Sequence, residues 1–134
     1  MPRFSRFAAR WWPTAVTLAA VLWLTLAPKP VPDMEMPMFP GADKIVHMLM
    51  MFGLTSVALF DIRRGEGRLG VRAVIVTALC VVVFSALDEW AQGVMGAGRS
   101  ADILDFAADC LGIMMAAYLS PLIIGRIMRH CRRK

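Results

Sequence analysis

Residues 85–109 read SALDEWAQGVMGAGRSADILDFAAD, and this stretch decides the fold because an apolar run ends in acids and restarts only after a glycine-rich turn. Its ionisable residues are Asp88, Glu89, Arg99, Asp102, Asp105 and Asp109. Charged side chains at membrane depth are costly, and they usually face a bundle interior or a polar cavity and mark function. The stretch therefore predicts a helical hairpin in a membrane that supplies two walls of a polar site.

Composition places the whole chain in a membrane. The chain has 134 residues, of which 58% are hydrophobic, and its mean hydropathy is +0.60. The net charge of +5 does not indicate nucleic-acid binding, because no basic stripe alternates with aromatic residues and the cations lie between apolar runs. The three cysteines form no CxxC motif, and Cys80 and Cys110 are predicted to be buried small hydrophobes. We expect a single integral membrane domain over residues 1–134.

The apolar runs predict an all-α, four-helix membrane bundle. The predicted spans are approximately residues 11–27, 43–61, 71–92 and 101–122, joined on the outer side by loops 28–42 and 93–100. The first span lacks a clean cleavage site and is expected to be retained. Asp43 and Ser100 are predicted to cap the second and fourth helices, and the glycines of RRGEGRLG, residues 63–70, predict the turn after the second.

The distribution of lysine and arginine predicts the orientation. The N-terminus holds three, the turn region 61–72 four and the tail from Arg126 five, against three in the remaining connections. Cytoplasmic segments carry the excess of such residues, so both termini are predicted to be cytoplasmic. The chain is thereby predicted to be a multi-pass protein of the bacterial cytoplasmic (inner) membrane.

Counting from the cytoplasmic arginines places three polar residues at one depth. His47 precedes Arg63 by sixteen residues, and Asp88 follows Arg72 by sixteen. Asp109 precedes Arg126 by seventeen. At 1.5 Å per residue these distances are about 24 to 26 Å, which is close to the outer surface of a hydrocarbon core about 30 Å thick. Three helices are therefore predicted to deliver polar side chains to one site, whose charge Lys44 and Arg99 would compensate, and to leave the inner half apolar.

The motifs that carry the polar residues resemble those of the VanZ-like family. DKxxH covers Asp43 to His47, DExxQ covers Asp88 to Gln92, and Gly98-Arg99 is followed by an aspartate at Asp105. The resemblance extends over residues 43–117 and implies a small multi-pass membrane protein of the bacterial cell envelope, of a family associated with low-level teicoplanin resistance. It implies no established reaction.

Two positions depart from the family pattern. Met51 stands where the family commonly has a tyrosine, which removes a hydroxyl from the site. Asp109 stands where it commonly has an asparagine, which adds a potential charge. Mechanisms that require the tyrosine or a neutral amide are therefore not expected in this chain.

The types and positions of the polar residues predict their roles. Proton transfer is predicted for His47, Asp88 and Glu89. Substrate binding is predicted for Asp43, Lys44, Gln92, Arg99, Asp105 and Asp109. The site is expected to bind or modify an envelope lipid or lipid-linked precursor, with Arg99 holding an anionic head group.

Several alternatives to these roles remain open. His47 is expected to hydrogen-bond to Asp43 or Asp88, and Arg99 to capture an anion or to pair with an aspartate. The whole network alternatively serves helix packing in a non-catalytic envelope modulator. A proton or cation pathway is disfavoured by the expected apolar inner half. The sequence names no cofactor and assigns no metal, since the methionine-rich segment MEMPM at residues 34–38 is better explained as apolar filler than as a copper(I) site.

Overall fold

The computed structural model describes residues 3–27, 41–95 and 102–131. In this part of the chain it contains four helices and no strand. The helices are α1 (Arg3–Leu26), α2 (Ala42–Glu66), α3 (Val71–Met95) and α4 (Ile103–Cys131). The all-α fold is therefore confirmed.

Three of these helices are long and apolar enough to cross a membrane. They are Ala42–Glu66, Val71–Met95 and Ile103–Ile127 within α4. α1 is not among them, because Arg10, Pro13 and several threonine and tryptophan residues make it less apolar. The crossing of α1 and the cytoplasmic position of the termini stay predictions.

The helices run alternately up and down, which gives the bundle two chemically different ends. At the acidic end α1 and α3 finish and α2 and α4 begin, and at the basic end α2 passes through a short turn into α3. α1 packs on α2 and α3, and α4 packs most closely on α2. A side chain at Gly112 would overlap the backbone carbonyl of Met48, so glycine allows α2 and α4 to approach closely.

An apolar core lies between the two ends. Its buried members come from all four helices and are Val21, Met51, Leu54, Val81 and Ile113. Met51, which stands where the VanZ-like pattern commonly has a tyrosine, is fully buried in this core. The expectation of an entirely apolar basic half is wrong, because Asp61 is also fully buried there. Cys80 is exposed rather than buried, and Cys110 is half-buried.

The ends of α2 differ from those predicted. Asp43 is not the cap: Gly41 precedes the helix with φ of 90°, and no side chain caps the first turn. α2 also continues to Glu66, beyond the expected end near residue 61, and it stops at Gly67, whose φ is 70°. Gly67 adopts this left-handed conformation without steric cost and donates its N–H to the Arg63 carbonyl at 2.9 Å.

α4 begins two residues later than predicted and is capped by Asp102. Asp102 Oδ1 accepts the N–H of Leu104 at 2.8 Å, and its carbonyl accepts the N–H groups of Asp105 and Phe106. A carboxylate that accepts an otherwise free amide of the first turn is a typical N-cap. The predicted cap, Ser100, lies outside the described residues.

Candidate functional site

Lys44 joins three carboxylates at the acidic end. Its Nζ lies 3.1 Å from Asp43, 3.1 Å from Asp102 and 3.0 Å from Asp105. Lys44 is on the first turn of α2, whereas Asp102 and Asp105 are at the start of α4. The ammonium group therefore fastens the beginnings of these two helices together, and the prediction that Lys44 compensates the acids is confirmed. Asp43 itself is exposed at the rim.

One turn further into the bundle, His47 pairs with Asp109. His47 Nδ1 lies 3.2 Å from Asp109 Oδ1, and Ser85 of α3 donates to Asp109 Oδ2 at 2.6 Å. Asp109 is 1% exposed, so α2 and α3 enclose it. The prediction that His47 pairs with Asp43 or Asp88 is wrong. The i, i+3 spacing of Lys44 and His47 turns both side chains toward the acidic face of α4.

Asp88 has a separate set of partners. Thr25 Oγ1 of α1 lies 3.0 Å from Asp88 Oδ1, and Gln92 Nε2 donates to Asp88 Oδ2 at 3.1 Å. Asp88 is buried, and so is Thr25 at 1% exposed. Thr25 was missed at the sequence level because it lies in a run that reads only as a hydrophobic span. Through this threonine α1 becomes part of the site.

Glu89 is held differently from its neighbour Asp88. Its Oε1 accepts the backbone N–H of Asp102 at 2.6 Å. Its Oε2 is buried and has no hydrogen-bond partner among the described residues. Glu89 as a whole is only 8% exposed. The carboxyl group is thus fixed by one oxygen while the other is unsatisfied.

A cleft of about 330 Å³ lies between α3 and α4 beside Glu89. Its lining residues are Ala86, Glu89, Trp90, Asp102, Ile103 and Phe106. The walls are mainly apolar, and Trp90 and Ile103 are strongly exposed on the outside of the bundle. The cleft therefore combines apolar walls with two carboxyl groups, and it lies between two helices.

The ionic state of Asp102 follows from its contacts. Its pKa lies below the usual 3.8, mainly because the carboxylate accepts the Leu104 N–H and also because it bonds to Lys44. Both contacts stabilise the charged form. Asp102 therefore carries a negative charge at neutral pH.

Other predicted features of the site have different outcomes. Arg99 lies outside the described residues, as do the methionines at 34, 36 and 38, so their predicted roles stay predictions. No group of three or more histidine, cysteine, aspartate or glutamate residues within ranges 3–27, 41–95 and 102–131 is arranged to hold a metal ion.

A second polar network, at the basic end, was missed. Pro13 has no N–H, so the carbonyl of Ala9 in α1 lacks its usual helical donor. Arg64 of α2 supplies a donor: its Nη2 bonds to the carbonyl of Ala9 at 3.1 Å and to that of Arg10 at 2.5 Å. An ion pair of 3.1 Å between Arg10 and Glu66 lies beside it.

Asp61 is the acceptor of the same network. Its Oδ2 accepts the backbone N–H of Thr14 at 3.1 Å and the Thr14 hydroxyl at 2.7 Å. Asp61 is 0% exposed, and its Oδ1 lies 3.4 Å from Arg64 Nη2. The signal in the sequence was the helical spacing from His47 through Met51 to Asp61, which places all three on the buried face of α2.

Comparison with known families gives one result for this chain. The family model described as VanZ/LLP1 matches residues 4–124. The chain belongs to the VanZ/LLP1 family. Neither the curated proteins nor the solved structures searched gave a match. The VanZ/LLP1 match begins well before residue 43, where the sequence motifs begin, and it includes α1. Family and apolar helices together identify a VanZ-like membrane protein.

Proposed function

We propose that the acidic end of the bundle binds an envelope lipid or lipid-linked precursor. The observation that carries the proposal is the cleft between α3 and α4, where apolar walls meet the buried, half-satisfied carboxyl group of Glu89. Binding sites commonly combine an apolar lining with a few placed polar groups. A lipid can reach such a site sideways from the bilayer, with its chain against Trp90 and Phe106 and its head group beside Glu89.

The charge distribution supports a location of this site at the outer surface of the bacterial cytoplasmic membrane. The basic end of the bundle carries Arg63, Arg64, Arg68 and Arg72, and positively charged connections remain on the cytoplasmic side. The acidic end would then face the compartment in which envelope precursors are used. This placement supports the association with teicoplanin resistance that the family resemblance implies.

The contacts support binding more directly than a reaction. His47, Asp88 and Glu89 remain the predicted proton-handling residues, and the pairing of His47 with Asp109 gives the imidazole the fixed orientation that a general base needs. Arg99 remains the predicted partner of an anionic group. No covalent step is assigned to these residues.

The second candidate function is a non-catalytic modulator of the envelope, in which the network only fixes helix packing. It is favoured by the internal pairing of the network: Lys44 is occupied by three carboxylates, and Asp109 by His47 and Ser85. Glu89 Oε2 is not accounted for by this candidate, because a purely structural network gains nothing from an unsatisfied buried acceptor.

Substitution of Glu89 separates the two candidates. Glu89→Gln is expressed in a strain in which the protein alters teicoplanin susceptibility or envelope lipid composition, with Glu66→Gln at the basic end as the matched control. We expect Glu89→Gln to accumulate as folded protein and to lose the phenotype, while Glu66→Gln retains it. A full phenotype in folded Glu89→Gln protein would contradict the lipid-site proposal, and a lost phenotype with unchanged lipid binding would favour the modulator.

A further inference from the structure

We infer that the cleft beside Glu89 selects a head group that donates hydrogen bonds, specifically a primary amine, rather than a head group that is only anionic. The inference rests on the proposed lipid site and specifies its ligand. It follows from an inventory of donors and acceptors among the described residues of the acidic end, in which Lys44 and His47 are already occupied and a carboxylate oxygen of Glu89 is left over.

Lys44 has no donor left for a ligand. A lysine ammonium group has three N–H donors, and Lys44 Nζ lies within hydrogen-bond distance of Asp43, Asp102 and Asp105. Each donor therefore has its own carboxylate. A phosphate or carboxylate ligand would have to displace one of these ion pairs to reach Lys44.

The other nitrogen donors with contacts at this end also serve internal acids. His47 Nδ1 is engaged with Asp109, and Gln92 Nε2 with Asp88. The described residues of the acidic end comprise six acids against one lysine and one histidine. An anionic ligand would meet repulsion from these carboxylates, whereas a cationic one would be attracted.

Glu89 is the acceptor left over. Its Oε1 is occupied by the Asp102 N–H, and its Oε2 has no partner, although Glu89 is 8% exposed and lines the cleft. A buried carboxylate oxygen is costly to leave without a donor. An ammonium group entering the cleft supplies both the missing donor and the opposite charge, and such charge-assisted bonds are the strong ones.

The apolar walls determine the rest of the ligand. Trp90, Ile103 and Phe106 line the same cleft as Glu89, so the amine must be attached to an apolar chain. The tryptophan face can also contact a cation favourably. An amine-bearing amphiphile therefore matches the cleft in both charge and polarity.

The test compares three head groups on identical acyl chains. The full-length protein is placed in vesicles of equal parts phosphatidylethanolamine, phosphatidylcholine and phosphatidylglycerol, extracted in mild detergent, and analysed by mass spectrometry for retained lipid. We expect phosphatidylethanolamine to be enriched on the order of tenfold over both others, because only it offers a cation with N–H donors. Glu89→Gln should abolish this enrichment, and Glu66→Gln should preserve it.

Other outcomes distinguish a failure of the amine inference from a failure of the proposed lipid site. Equal retention of phosphatidylcholine, better retention of phosphatidylglycerol, or an unchanged preference in Glu89→Gln would overturn the amine inference while leaving a lipid site in place. If no lipid is retained above the level seen with the cleft-filling variants Ala86→Phe and Ile103→Trp, the proposed function itself fails. Leu87→Phe, whose side chain does not line the cleft, is the control for the added bulk.

Discussion

At the residue scale, Asp109 depends on a single hydroxyl donor from α3. Ser85 donates to Asp109 Oδ2 at 2.6 Å, and Asp109 is almost completely enclosed. Ser85→Ala removes this donor without adding bulk. An unsatisfied buried acceptor costs about 1–3 kcal/mol, so the free energy of unfolding should fall by that amount in a denaturing-detergent titration.

Ser56→Ala is the matched control for Ser85→Ala. Ser56 shares a hydrogen bond of 2.8 Å with another hydroxyl, that of Ser120. Its loss leaves no carboxylate without a donor, and we expect a smaller effect. Equal losses of stability in the two variants would contradict the assigned importance of Asp109.

The charge of Asp102 predicts a dependence on pH. Its folded pKa is lowered below the usual 3.8, by the Leu104 N–H first and by Lys44 second. A carboxyl group whose pKa is lowered by folding stabilises the folded state when the pH is above the pKa of the unfolded state. This stabilisation is lost as the pH falls through the pKa of the folded state. We expect the stability advantage of the wild type over Asp102→Asn, measured by unfolding in micelles, to shrink as pH falls below about 3.8. A constant difference across this range would refute the ionic role.

At the element scale, the approach of α2 to α4 depends on Gly112. A Cβ there would overlap the Met48 carbonyl, which is backbone and cannot turn aside. Gly112→Ala should therefore separate the helices and lower the free energy of unfolding by about 1–3 kcal/mol, as overpacking does.

Gly53→Ala is the control for this contact. Gly53 lies in the same pair of helices, but a Cβ there would have no atom within 4 Å. Alanine favours the helix over glycine, so we expect unchanged or slightly higher stability. A Gly112→Ala variant as stable as Gly53→Ala would show that α2 and α4 do not approach as described.

The contact between α1 and α2 depends on Asp61 and Arg64, which bond to α1 around Pro13. Asp61→Ala removes the acceptor of two donors on Thr14. Two unsatisfied donors at about 1–3 kcal/mol each predict a loss of about 2–6 kcal/mol in stability. Glu66→Ala, which removes only the exposed pair with Arg10, should cost less than about 1 kcal/mol. Similar effects of the two substitutions would contradict a structural role for the buried aspartate.

Features of the helices that leave a local pattern in the sequence were predicted, and features that depend on a partner in another helix were not. Apolar runs predicted four helices, and depth counting brought His47 close to Asp109. The predicted cap of α2 was wrong because Gly41 precedes this helix and no side chain caps its first turn, whereas α4 is capped by the carboxylate of Asp102, which accepts the Leu104 N–H. Thr25 and Asp61 were missed because their value depends on partners in another helix, and no local pattern names those partners.

At the scale of the whole molecule, the bundle separates two polar networks by an apolar layer. α1 links them, since Thr14 contacts Asp61 at the basic end and Thr25 contacts Asp88 at the acidic end. Val21, between the two threonines, belongs to the core. This arrangement makes α1 a structural support for the site.

The central claim is that the acidic end binds a lipid in the cleft between α3 and α4, and native mass spectrometry of the purified protein tests it most directly. The wild type and Leu87→Phe, whose exposed side chain does not line the cleft, should each retain a bound lipid. Ala86→Phe, which fills the cleft from the neighbouring position, should retain none. Equal lipid retention by Ala86→Phe and Leu87→Phe would contradict the claim.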